Sequence, residues 1–247
     1  TVHSAPHTEY EQKDLKADDE GEIVEPDFPE IVEAYLEKWQ VLLTKTFIRQ
    51  RDSLLPKAKS FGRFDQLHLL FDRERWNREM TEDFIALTQE TAIAFGRAWS
   101  EKIGTQYDDE MLSEWMATNG RIAAETLNNK IFEELQAAMA TNEPVDAVKR
   151  VFELALAVTV AKFAQSRMTG IENKVELEIV VESPVFATKI WRTTSSNPRP
   201  SHRAVNGQEV DKKGYFSNGL YRPGDYKASV DEVAGCRCKM VYRKKKK

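Results

Sequence analysis

From Ile31 onward, apolar residues return at steps of three and four: Ile31/Val32, Tyr35/Leu36, Trp39, Leu42/Leu43 and Phe47. That spacing lays a single stripe along a helix. The two prolines of "EPDFPE" stand just ahead of it and mark its start. Lys57–Gly62 interrupts the stripe. A second helical zone is expected from about Asp65 to Ile103, using Leu69/Leu70, Trp76, Met80, Phe84, Leu87, Ile93 and Phe95. A third follows Asp108 and Asp109, acids suited to a helix N-terminus. It uses Leu112, Trp115/Met116, Ile122, Leu127, Ile131, Leu135 and Met139. "TNEPVDAVKR" reads as a break and a restart, leading into an apolar helix that ends near Gly170. Residues 30–170 are thus expected to form an all-α region of about five helices. The aromatic stripes read as core or partner-helix contacts.

The pattern changes after Gly170. "KVELEIVVE" alternates, with Val175, Leu177, Ile179 and Val181 on one side and Glu176 and Glu178 on the other, which predicts a strand. "ATKIWRTTSS" is β-prone, and turn signals follow at Asn197-Pro198, Asn206-Gly207, Asn218-Gly219 and Pro223-Gly224. The last strand is expected in "GCRCKMVYR", with Cys236, Cys238, Met240 and Tyr242 on one face. The fold class is therefore α+β: an N-terminal multi-helix region, then a small, mostly β module at 171–247. A module of about 70 residues is near the lower size limit for its own core, so it needs the helices, a partner or a metal.

Charge divides the chain further. Glu9–Asp27 is dominated by acids, and residues 1–29 are expected to be a flexible acidic lead. Arg237–Lys247 carries only basic charge, a tail suited to nucleic acid or an acidic protein surface, or simply to solubility. The net charge of -4 gives no bulk polyanion-binding signal. Thr1–Tyr10 has no apolar leader core, and Leu154–Ala161 ("LALAVTVA") is too short for a bilayer and reads as a buried helix. Thr1 in place of a start methionine reads as processing, excision or trimming. The chain holds two cysteines, Cys236 and Cys238. As alternate residues of one strand they do not pair readily, so reduced thiols are expected.

Three chemistries compete for the marked residues. His202, Cys236 and Cys238 offer one nitrogen and two sulfurs, a ligand set for zinc, with Asp225 or water as the fourth ligand. The plainer alternative packs the thiols in a small core while His202 bonds across its turn. A Cys/His hydrolase or DNA-processing enzyme needs an activated thiolate, and Arg237, on the opposite face, does little to provide one. No nucleophile elbow or phosphate-binding loop is present. Sequence-independent DNA binding is the third reading. Arg192, Arg199, His202, Arg203, Arg243 and Lys244, Lys245, Lys246 and Lys247 would grip phosphates, with Trp191, Tyr215, Phe216 and Tyr221 nearby for stacking.

The ordered segments "IWRTTSSNPRPSHRAVNGQEV", "GYFSNGLYRPGD" and "VDEVAGCRCKMVYR" resemble the phage Mu protein F-like head morphogenesis domain, which phage minor head proteins carry. Trp191, Thr194, Arg199, His202, Gly207, Pro223, Gly224, Asp225, Cys236, Arg237 and Cys238 occupy the places of that family's pattern. The resemblance covers residues 170–243 and departs at "AGCRC", where members often have Asn before the first Cys. It implies a virion component made in the host cytoplasm. Such a protein sits in the head interior or at the portal vertex, in a few copies around a symmetric axis. Portal, capsid and scaffold proteins are the implied partners, with phage DNA contacted during packaging or ejection. It adds nothing about catalysis, and the chain is expected to be no enzyme, to meet no membrane and to hold no cofactor beyond zinc at the thiols. In some phages this domain ends a portal protein, and an acidic lead from Thr1 suits a product cut from such a fusion.

Overall fold

The structure is a computed structural model that describes residues 21–60, 67–140, 143–225 and 227–246. Helix α1 (Pro29–Ser60) carries the first stripe, with Trp39, Leu43, Phe47 and Leu54 buried. A short α2 (Leu67–Leu70) leads into α3 (Arg73–Ile103). Asp72 caps α3 by accepting from the Arg75 amide at 3.0 Å. Helix α4 (Ser113–Met139) packs along α3, and α5 (Pro144–Leu154) starts on a proline at its first position. A π-helical turn at Ala155–Thr159 joins α5 to α6 (Val160–Glu182). The bundle core is aromatic: Trp39 meets Phe84 edge-on at 5.3 Å, and Phe47 meets Phe152 at 6.4 Å.

The remaining chain forms one antiparallel sheet in the order β1-β4-β2-β3. Its strands are β1 (Ile23–Val24), β2 (Phe186–Arg192), β3 (Glu209–Asp211) and β4 (Lys239–Lys244). Two short helices, α7 (Pro200–Ala204) and α8 (Val230–Val233), lie in its connections. β2 and β4 pair from Phe186↔Lys244 to Arg192↔Lys239, with an irregularity between Phe186 and Thr188. One face lies on the bundle, where the Trp99 ring of α3 sits 5.7 Å from Tyr242 and 6.2 Å from Phe186. The architecture is thus α+β, as the patterning predicts. Among the described residues no helix is long and apolar enough to cross a membrane.

Three expectations change. The strand predicted at Val175–Val181 is the last part of α6, which runs through Gly170 without a break. This helix lies between bundle and sheet, and Met168, Ile171, Val175, Leu177 and Val180 are buried around its circumference. A helix buried on most sides loses its one-sided stripe, so the sequence reads as alternation. Leu154–Ala161 is helical but not wholly buried, since Leu154 is 53% and Val158 37% exposed. The acidic lead is ordered where it is described. Ile23 pairs with Arg243, Val24 pairs with Tyr242, and Phe28 packs edge-on against Phe95 and Trp99. Residues 1–20, most of the expected lead, and Lys247 lie outside the described residues.

The junction between α6 and the sheet buries two acids. Glu172 is pushed up to about 7 by burial, opposed by Lys239 and reinforced by Asp27. Burial first, then the neighbouring Glu172, pushes Glu176 well above the usual carboxylate range, with Lys239 and Lys102 opposing. A raised folded-state pKa stabilises the fold fully below the unfolded value and loses that contribution as pH rises through the folded one. Stability is therefore expected to fall as pH rises above about 4.5, by up to about 1.4 kcal/mol per pH unit for Glu172 until about pH 7, with Glu176 adding to the loss in the same direction. Glu176→Gln should flatten that slope and leave the variant more stable than the parent at pH 8. Urea denaturation across this range checks it, and an unchanged slope would refute it.

A close backbone approach gives a second test. Gly224 has φ +68°, and a Cβ there would lie 2.8 Å from Gly170 Cα and N in α6. Gly219 has φ +78° but open space around it. Gly219→Ala should cost only the left-handed backbone penalty, about 1–2 kcal/mol. Gly224→Ala adds overpacking and should cost about 2–4 kcal/mol. Denaturant unfolding of the two variants side by side measures the difference.

Candidate functional site

The residues that carry the sequence resemblance fall into one clasp and one loop. Pro200 begins α7 and sets its first turn, which buries His202 to 1% exposure. The chain returns through α8 and Gly235 to Cys236 and Cys238, which are 2% and 4% exposed. Both cysteines precede β4, so the C-R-C tripeptide is an irregular knuckle ahead of it and not the strand the alternation suggests. The backbone amide of Cys238 folds back to within 3.5 Å of Cys236 Sγ. His202 Nδ1 then stands 3.7 Å from Cys236 Sγ and 3.4 Å from Cys238 Sγ.

Other pattern residues hold this geometry. Trp191, fully buried in β2, places its ring edge-on to His202 at 5.1 Å and to Phe216 at 5.1 Å. Thr194 Oγ1 donates to the Arg237 carbonyl at 2.7 Å, and the Arg199 guanidinium donates to the Ala234 carbonyl. The Gly207 amide donates to the Trp191 carbonyl at 2.8 Å. Arg237 itself is exposed, opposite its two neighbours. From below, α6 supplies three polar side chains. Ser166 Oγ accepts from the Gly235 amide at 2.7 Å, Thr169 Oγ1 donates to the Cys236 carbonyl at 2.5 Å, and Asn173 Nδ2 donates to the Cys238 carbonyl at 3.1 Å.

Two neighbours were not singled out from the sequence. Glu232 of α8 brings Oε2 to 3.0 Å from His202 Nε2, at ion-pair distance though off the line of a full hydrogen bond. Ser201 Oγ donates to both Glu232 oxygens, at 2.8 and 3.1 Å. Lys189 of β2 is buried, donates to the Tyr221 carbonyl at 2.7 Å and lies 3.5 Å from the centre of the Tyr221 ring. Burial, then Arg222, brings its amine down to about 7. Only a cation in an apparent strand marked it in the sequence.

The thiols are electrostatically unequal. A hydrogen bond from Cys238 first, then one from His202, brings Cys236 down to about 5 against the opposing effect of burial. Cys238 is pushed well up, because it shares its proton with Cys236 and is itself buried. The Trp191 indole N–H, which meets no hydrogen-bond acceptor among the described residues, partly offsets that rise.

The other candidates sit elsewhere. Asp225 lines a cleft of about 480 Å³ with Trp115, Lys174, Tyr221, Arg222 and Lys227, and does not join the thiols. Gly224 presses against Gly170, held by Arg222, which donates to the carbonyls of Gly170 and Gly224 at 3.0 and 3.1 Å. The basic residues do not form one free face. Arg243 pairs with both oxygens of Glu209, at 2.7 and 2.8 Å, and Lys244 pairs with Glu22 at 2.8 Å. Arg192, Arg203, Lys245 and Lys246 are exposed, and Arg203 also donates to Asn197 Oδ1 at 3.3 Å. Of the aromatics expected to stack bases, Trp191 and Phe216 are core residues, while Tyr215 is exposed.

Chemically, the clasp gathers two sulfurs and an imidazole nitrogen within 4.8 Å of one another. Its burial gives a substrate no route to the thiols without local opening, whereas a small ion needs only the ligand atoms. Compared with family models, curated proteins and solved structures, the chain matches none.

Proposed function

We propose that this protein is a phage minor head protein that acts in head morphogenesis at the portal vertex, as a structural component and not an enzyme. One observation carries the reading. The residues by which the chain resembles the Mu protein F-like domain come from separate stretches, and Trp191, Thr194, Arg199, His202 and Gly207 of one meet Cys236, Arg237 and Cys238 of another around one buried clasp. A pattern whose members support one another is the signature of a folded module, not of scattered coincidences. The burial of both thiols supports a role in holding shape. The long helices α1, α3 and α4 offer extended faces for portal, capsid or scaffold partners. Arg192, Arg203 and the exposed lysines of the tail leave a modest surface for DNA. Ion pairing at Arg243 and Lys244 reduces it.

Quantitative peptide mass spectrometry tests this on procapsids and virions from cells that carry the gene, before and after triggered DNA ejection. The protein is expected at a few copies per particle. Loss on ejection would make it a passenger of the genome, and retention a fixed part of the vertex. Absence from both procapsids and virions would overturn the reading.

A further inference from the structure

We propose that His202 Nδ1, Cys236 Sγ and Cys238 Sγ are three ligands of a structural zinc ion that locks the C-terminal sheet module onto helix α6. The inference does not rest on the head-protein reading.

The first argument is distance. Tetrahedral zinc with Zn–S of about 2.3 Å and Zn–N of about 2.0–2.1 Å holds sulfur and nitrogen about 3.6 Å apart. The two sulfur–nitrogen separations here are 3.7 and 3.4 Å, on either side of that value. Simple packing of thiols around a histidine carries no such requirement. A neutral imidazole nitrogen has one proton or one lone pair to offer and can satisfy only one sulfur fully. Nδ1 here faces two at once, an arrangement that an ion at their common focus explains.

The second argument is the surroundings. A metal-bound histidine almost always directs its other ring nitrogen to a carboxylate, carbonyl or water. Glu232 Oε2 lies 3.0 Å from Nε2, and Ser201 fixes that carboxylate. Thiolates bound to a metal are stabilised by nearby N–H groups. The Cys238 amide lies 3.5 Å from Cys236 Sγ, and the buried Trp191 indole N–H has no acceptor among the described residues. The two sulfurs lie within 4.8 Å of each other, closer than the about 6.5–7 Å between alternate positions of an extended strand. Three protein ligands leave one coordination position for water, since Asp225 lies in a different cleft.

The consequence is mechanical. The ion would tie α7 to the knuckle, and Ser166, Thr169 and Asn173 already tie the knuckle to α6. Metal binding would then be folding free energy for the module.

The test uses the full chain purified without chelator. Elemental analysis should find about one zinc per chain. Replacement by Co²⁺ should give the intense visible bands of tetrahedral thiolate coordination. Cys236→Ser and Cys238→Ser should each abolish stoichiometric binding, and Asp225→Asn should retain it. Glu232→Gln should weaken zinc affinity about 10–100-fold while binding persists. The cysteine variants risk not folding, so the unmodified protein is also treated with a strong chelator. Its melting temperature should drop and recover on adding Zn²⁺ alone. A folded, zinc-free chain that is indifferent to chelator and gives no thiolate bands with Co²⁺ would overturn the proposal. So would zinc that survives both cysteine changes.

Discussion

Three side chains on one face of α6, Ser166, Thr169 and Asn173, meet the backbone of Gly235–Cys238, and the C-terminal module depends on that contact. Both cysteines lie outside the strand ladder yet are buried, so their carbonyls need partners from elsewhere. A typical hydrogen bond adds only about 0.5–1.5 kcal/mol net, but a buried carbonyl left without one costs about 1–3 kcal/mol. These bonds are therefore less a source of stability than a condition for burying the knuckle at all. They also set its position, and with it where the two sulfurs stand relative to His202.

The same helix belongs to the bundle. Arg167, on the turn between Ser166 and Thr169, is buried, donates to Asn119 Oδ1 and to Thr88 Oγ1, and lies 5.0 Å from the Trp39 ring. Burial, then Arg222, brings it down to about 9. On another face, Glu172 and Glu176 stand beneath Tyr242 of the sheet. Helix α6 thus carries polar and ionisable groups toward both halves, where an ordinary core helix carries leucine. Such groups are costly to bury and tolerate few arrangements, so they favour one docking of sheet on bundle over slid or rotated ones. Lys212 extends the same logic at the helix end, donating to the carbonyls of Val180 and Ser183 at 3.1 and 2.6 Å.

This double duty explains what the sequence could and could not reveal. Helices α1, α3 and α4 each have a solvent side, so their stripes were legible, with Trp39, Phe84 and Leu127 at the expected spacing. Helix α6 has little solvent side, and Val175, Leu177 and Ile179 imitated a strand. The site was half legible. His202, Cys236 and Cys238 stood out as rare residue types. Glu232 did not, because a carboxylate in "VDEV" has no local mark, and only the fold brings α8 to α7. Asp225 was misplaced for the opposite reason. A Pro-Gly-Asp turn suggests a ligand, but here the turn serves the close approach of Gly224 to Gly170.

The thiol pair and the polar face of α6 then solve one problem from two sides. A module this small cannot close a core alone, and its sheet borrows Trp99 from α3 to cover Tyr242 and Phe186. Borrowed apolar contact is not directional and would let the sheet slide. The hydrogen bonds from α6 fix one edge of the knuckle, and the clasp fixes the other by holding α7 to it. A protein built this way resists shear between its halves without a larger core.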